Sequence, residues 1–210
     1  LALWLDGEIL SRSVLAGQKH SELVLPMLNE MLIEGGITLS HLDGFAFGAG
    51  PGSFTGLRIA CGVIQGLAFA LDKPVVDIST LEALAQQAGS ANVITALDAR
   101  MGEIYFAAYT KSSSNQWISV QSPMLCRPEF APQLIGNDWV GCGSGFDRYP
   151  ETLKNVYQDQ FNEILTDCYP HAKEIAQLSI NRFELGLVLL PEQAVPTYIR
   201  NKVALKESER

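Results

Sequence analysis

The sequence predicts an α/β protein, and three observations carry that prediction. Gly48-Ala-Gly-Pro-Gly-Ser-Phe-Thr-Gly56 lies between a strand-like run (Phe45, Ala46, Phe47) and a helix-like run from Leu57 to Leu71, an order of strand, glycine loop and helix. Two segments read as hairpins. Strand-like and helix-like stretches alternate along most of the chain.

Ala2 to Leu10 reads as the first hairpin, turning at Asp6-Gly7. His20 to Glu34 reads as a helix with Leu23, Met27, Leu28, Met31 and Leu32 on one stripe, ended by Gly35-Gly36. Pro26 inside it predicts a bent or separate first turn. The helix after the glycine loop, capped by Ser53 or Thr55, carries Leu57, Cys61, Ile64, Leu67, Ala68 and Leu71 on one face. Ile59, Val63, Phe69 and Ala70 lie elsewhere on it. A helix apolar on most sides is buried on most sides. Gly62, Gly66 and Ala70 recur every four residues and make a smooth stripe. Periodicity allows two uses for it: packing inside the subunit, or a helix–helix interface with a partner.

Pro74 to Ser79 reads as a buried strand and Thr80 to Gln87 as a helix. Val93–Leu97 and Ile104–Tyr109 read as strands of a second hairpin around Asp98-Ala-Arg-Met-Gly-Glu103. Lys111 to Gln116 is a polar loop. Val140 precedes a second glycine cluster (Gly141, Gly143, Gly145), and Pro170-His171 starts a helix reaching at least Gln177. Glu207 to Arg210 reads as a solvated, frayed end. The pattern divides the chain into lobes at residues 1–90 and 91–190, with 191–210 a Pro-punctuated segment returning to the first lobe.

The chain has 210 residues, is 47% hydrophobic, and carries a formal net charge of −8. Its pI is about 4.9. Scattered Lys and Arg on an acidic chain disfavour direct nucleic-acid binding. Cys61, Cys126, Cys142 and Cys168 form no C-x-x-C pair and read as reduced thiols of a cytoplasmic protein. No secretory leader or membrane span is evident. The chain opens with Leu1 inside an element, so a further N-terminal segment is expected before it.

The glycine loop matches neither G-x-x-x-x-G-K-[ST] nor G-x-G-x-x-G. Gly48, Gly50, Gly52 and Ser53 are a weak nucleotide-site candidate, and a turn with a helix cap is the plainer use. His20, His41 and His171 lie too far apart for a metal motif. Ser53 has no His or acid tied to it by pattern. Asp98, Arg100 and Glu103 crowd the second hairpin, either as solvated charges or as the edge of a cleft. Arg58 is the only cation near the loop.

G-P-G-S-F-T-G-L-R-I (50–59), G-L-A-F-A (66–70), S-T-L-E-A-L-A (79–85), A-L-D-A-R-M-G-E-I-Y (96–105) and P-T-Y-I-R-N (196–201) occur in an order that resembles the TsaB (YeaZ) family over nearly the whole chain. The resemblance implies a two-lobed actin/Hsp70-like (ASKHA) fold. It implies a part in forming threonylcarbamoyladenosine next to the anticodon of tRNAs that read codons beginning with A. It further implies a non-catalytic scaffold that dimerises with the transferase TsaD, joins TsaE in a larger complex, is a homodimer alone, and meets tRNA only indirectly. Thr80 and Leu84 stand where the H-x-x-x-H metal ligands of TsaD would lie. No cofactor is firmly implied; ATP or ADP at the complex interface stays open. The partner-interface candidates are Leu23, Met27, Met31, Arg58, Cys61, Gly62, Gln65 and Gly66. The family's opening strand, with its Asp-Thr or Asp-Ser pair, does not occur in this sequence, which weakens nucleotide binding. Two other readings are an ASKHA ATPase or kinase active alone, and a glycoprotease-like peptidase.

Overall fold

The computed structural model describes residues 1–15, 17 and 19–200. The expected frayed end at 207–210 lies outside them. Strands β1 (Ala2–Leu5) and β2 (Glu8–Ser11) form the antiparallel hairpin. Asp6 and Gly7 both take positive φ, the conformation a two-residue turn needs. Helix α1 (His20–Glu34) follows. Arg12, just past β2, ties down its C-terminal half through ion pairs to Glu30 (2.6 Å) and Glu34.

Pro26 does not bend or split α1, contrary to the sequence expectation; the helix is continuous. Proline removes one donor to the Glu22 carbonyl. Both residues are exposed, so water can take the missing partner's place.

Strand β3 (Phe45–Gly50), helix α2 (Phe54–Leu71) and strand β4 (Val75–Ser79) form a β–α–β unit with parallel strands. Helix α2 covers one face, where Phe45, Phe47 and Ala49 meet Cys61, Ala68 and Ala194. Helix α6 (Ala172–Glu184) covers the other, where Ile175 meets Val76 and Ile78. Sequence order put this helix in the second lobe; it packs instead on β1 to β4 and on α3 (Thr80–Ala88).

The remaining strands make one mixed sheet. It contains β5 (Asn92–Arg100), β6 (Glu103–Lys111), β7 (Trp117–Cys126), β8 (Trp139–Cys142) and β9 (Phe161–Leu165), in the order β7-β6-β5-β8-β9. Strands β8 and β9 run parallel to β5. On one face lie α4 (Ser144–Arg148) and α5 (Pro150–Tyr157), whose Phe146, Leu153 and Tyr157 pack on Ile94, Phe106 and Trp139. On the other lies α3, with Leu81 and Leu84 against Val93, Leu97 and Cys142. At this joint Trp117 donates from Nε1 to Gln86 (2.9 Å) under the ammonium of Lys111. Helix α3 therefore touches both the β3–β4 unit and the large sheet.

Beyond α6 the chain pairs Leu189 with Val75 of β4, passes the short 3-10 turn Pro191–Gln193, and runs along α2.

Candidate functional site

The glycine loop is closed around its own chain. Ser53 caps α2, accepting from the Gly56 amide at 3.4 Å. Thr80, at the start of α3, donates its hydroxyl to the carbonyl of Pro51. A side chain at Gly48 would press on the Thr80 methyl at 3.2 Å. At Gly50, with φ +118°, it would meet the Thr197 carbonyl at 2.8 Å. Glycine is thus required at Gly50, where two backbones meet at positive φ, while Gly48 is in tight contact with Thr80. Gly52 faces open space.

The Pro51 carbonyl is taken by the Thr80 hydroxyl, and the Thr197 carbonyl fills the space beside Gly50, so this part of the loop is spent on the chain's own packing. Thr80 and Leu84 also have other employment: Thr80 holds Pro51, and Leu84 is completely buried against Val93 and Cys142. Neither is a metal ligand. Among the described residues no group of three or more His, Cys, Asp and Glu side chains converges.

The second glycine cluster is a helix crossing. A Cβ at Gly145 would lie 2.8 Å from the Ala96 Cβ, and one at Gly141 would lie 2.7 Å from the Phe146 ring. Gly143 has φ +105° and sits against the Ala96 carbonyl. These glycines let α4 press on β5.

The partner-interface candidates separate into three groups. Met31 (1% exposed) and Cys61 (5%) are core residues, so their side chains are withdrawn from any partner. Cys61 donates to the Ala194 carbonyl, and burial pushes its thiol up from the ordinary range. Gln65 is also engaged inward, donating to the same carbonyl at 2.7 Å. Leu23 and Met27 are half-buried and line a cavity of about 260 Å³ with Arg12, His20, Pro170 and His171. Only Arg58, Gly62 and Gly66 point outward.

These three lie on one strip of α2 with Phe54 and Ala70, spaced four residues apart, and with Phe69 (76% exposed) beside its end. Side chains built at Gly62 or Gly66 would meet nothing within 4 Å. The glycines therefore do not pack against this chain, and the intrasubunit use of the smooth stripe is not realised. At the head of the strip the Arg58 guanidinium lies 3.7 Å from the centre of the Phe54 ring. Its Nε donates to the Tyr198 hydroxyl at 2.9 Å, and Tyr198 leans on Phe54 at 5.6 Å between centroids. Phe54, Phe69 and Tyr198 were not foreseen as surface residues. Phe54 could have been found, four residues before Arg58; Tyr198 arrives from a distant segment and could not.

Helix α2 has 18 residues and mean hydropathy 1.6, enough by length and composition to cross a membrane. Its inner face is spent on β3 and Ala194.

Strand–glycine loop–helix units, a mixed sheet and helices on both faces define a mixed α/β protein of the ASKHA type. The family model for tRNA N6-adenosine threonylcarbamoyltransferase (TsaD) matches residues 12–206. The tRNA threonylcarbamoyladenosine biosynthesis protein TsaB of Escherichia coli is 35% identical over 217 residues, covering 99% of this chain and 92% of that protein. TsaB of Haemophilus influenzae is 34% identical, covering 99% and 91%. A crystal structure of a Pseudomonas aeruginosa protein described as similar to peptidase YEAZ superposes with a TM-score of 0.88 at 36% identity, covering 95% of this chain and 93% of that one. A structure of YeaZ from the same organism gives 0.84 at 35%, covering 94% and 92%. The chain belongs to the TsaB (YeaZ) family.

Proposed function

We propose that this chain is a non-catalytic scaffold in the biosynthesis of threonylcarbamoyladenosine on tRNA, docking through α2 onto a TsaD-type transferase. One observation carries the reading: the strip Phe54–Arg58–Gly62–Gly66–Ala70 with Phe69 is exposed and, apart from Arg58, apolar, and its two glycines face open space instead of the chain's own core. Apolar area removed from water stabilises such contacts by about 25 cal/mol per Å², before the costs of association. Glycines let a second helix approach closely enough to exclude water. Leu23 and Met27 belong to the proposal as a second, partly covered contact. The same strip would join two copies of this chain when the transferase is absent.

The catalytic part falls to the partner, since Thr80 and Leu84 are structural here. A TsaE-type ATPase completes the assembly. ATP or ADP would bind at the assembly's interface rather than in this chain's glycine loop, which matches neither phosphate-binding pattern. Contact with tRNA is indirect, as the net charge of −8 disfavours a phosphate surface. The compartment is the cytoplasm, where tRNA is modified. An ATPase or kinase active alone is opposed by the closed loop, and a peptidase by the lack of a nucleophile–base pair at Ser53.

Light scattering after size exclusion tests the scaffold reading. The chain mixed with a TsaD protein is expected to run as a one-to-one complex. Gly66→Arg is expected to abolish that complex with the far-UV spectrum unchanged, because the new side chain projects into open space. Failure of the unsubstituted chain to form a complex, with or without nucleotide, would sink the reading.

A further inference from the structure

We infer that the segment from Ala194 to Arg200 is a latch. It fixes the glycine loop and α2 to the β5–β6 turn, and its far anchor, Arg200, is a positioning residue for activation of the docked partner. The inference rests on the scaffold reading and adds how docking on α2 is passed to the rest of the chain.

The near end is fixed to the inner side of α2 and reaches the outer strip at Tyr198. The Ala194 carbonyl receives both the Cys61 thiol (3.0 Å) and the Gln65 amide (2.7 Å) from α2. The Thr197 amide donates to the Ala49 carbonyl at 2.8 Å, while its own carbonyl fills the space beside Gly50. Tyr198 then joins Phe54 and Arg58 at the head of the docking strip, still 45% exposed. A partner covering α2 therefore touches the latch itself.

The far end is a receptor for one guanidinium. Arg100 (φ 62°), Met101 (φ 57°) and Gly102 (φ 77°) form a left-handed run that non-glycine residues enter rarely. That turn aims oxygens at Arg200. Its Nη2 donates to Glu103 Oε2 at 2.7 Å and to the carbonyls of Ala99 (3.0 Å) and Arg100 (3.4 Å), and Nη1 lies 2.9 Å from the Met101 sulfur. The Arg200 side chain is only 12% exposed. A buried, charge-assisted contact of this kind holds a defined geometry where a surface pair would not. Asp98 is occupied separately, accepting from the Arg100 amide at 2.9 Å and pairing with the Arg100 guanidinium at 3.3 Å. The charges of D-A-R-M-G-E thus divide between shaping the turn and holding the latch.

Such a latch separates binding from its consequence. Without the Arg200 anchor the α2 strip is intact, so a partner still docks. The β5–β6 turn is then no longer held in place relative to α2.

The test uses the full chain with TsaD and TsaE proteins, and reads complex formation by titration calorimetry and threonylcarbamoyl transfer to tRNA at saturating chain. Arg200→Gln and Glu103→Gln are each expected to bind within about three-fold of the unsubstituted chain and to support transfer at least ten-fold more slowly. Arg200→Lys is expected to recover most of the rate. One atom, Nη2, makes all three oxygen contacts, and an ammonium has three protons to replace it. Hydrogen exchange on the free chain is expected to rise in Arg200→Gln at residues 196–200 and at 98–103 together. Unchanged transfer would overturn the latch, as would binding and transfer falling together in the glutamine variants without recovery by lysine. Absence of binding by the unsubstituted chain would instead remove the scaffold reading beneath it.

Discussion

Gly62 and Gly66 hold their places at a cost. Glycine inside a helix is less stable than alanine by roughly 0.5–1 kcal/mol. Neither position has a neighbour that a methyl group would strike, and neither has a positive φ. Gly62→Ala and Gly66→Ala are therefore each expected to raise the urea midpoint of the free chain, by about that free energy. The same substitutions should weaken the transferase complex, since the methyl groups stand where a second helix would approach. A gain in stability paired with a loss in affinity, measured on the same variants, is what a surface shaped for a partner produces. A gain in stability with affinity unchanged would show that the strip lies outside the contact. Cys61, on the opposite side of the same helix, illustrates how burial turns an interface candidate into a core residue: its sulfur is committed to the Ala194 carbonyl.

Among the elements, the crossing of α4 over β5 is the least forgiving. Gly143 combines a positive φ with contact to the Ala96 carbonyl, so Gly143→Ala must both strain the backbone and displace a strand. A loss of at least about 2 kcal/mol is expected in equilibrium denaturation. Elements with a strong period were legible in the sequence. The span of α1 follows from its apolar stripe and Gly35-Gly36, and β3, α2 and β4 follow from the glycine loop with its Ser53 cap. Strand β7 was not legible, because the alternation Ile118-Ser119-Val120-Gln121 is short and Ser122-Pro123 breaks it; an edge strand tolerates the proline because one side of its ladder is unpaired. Helices α4 and α5 and strand β9 are too short for a period to emerge. The docking strip was half legible. Helix α2 is apolar on nearly every side, so periodicity identified the helix without saying which face turns inward. Cys61 therefore reads from the sequence like Gly62 and Gly66, although it faces the core.

For the whole molecule, buried thiols and phenols set the alkaline limit. Burial, with help from the charges of Glu103 and Glu129, pushes the Cys126 thiol from an ordinary 9.0 up to about 11. Burial likewise raises Cys142, Tyr109 and Tyr157. The unfolded chain gives up the Cys126 proton from about pH 9, while the folded chain keeps it to about 11. Its contribution to stability is therefore complete below pH 9 and is lost as pH climbs through that window. Denaturation midpoints are expected to fall steadily between pH 9 and 11, and Cys126→Ser should flatten part of the slope; a flat profile would contradict the burial of these groups. The three tryptophans give the molecule an uneven optical map. Trp139 is enclosed beneath α4 and α5, Trp117 sits at the joint with α3, and Trp4 lies on the β1–β2 hairpin, so none belongs to the docking strip. Tryptophan emission accordingly follows the melting of the large sheet and of the β1–β2 hairpin, with no reporter on α2, which makes a tryptophan placed at Phe69 the natural beacon for assembly.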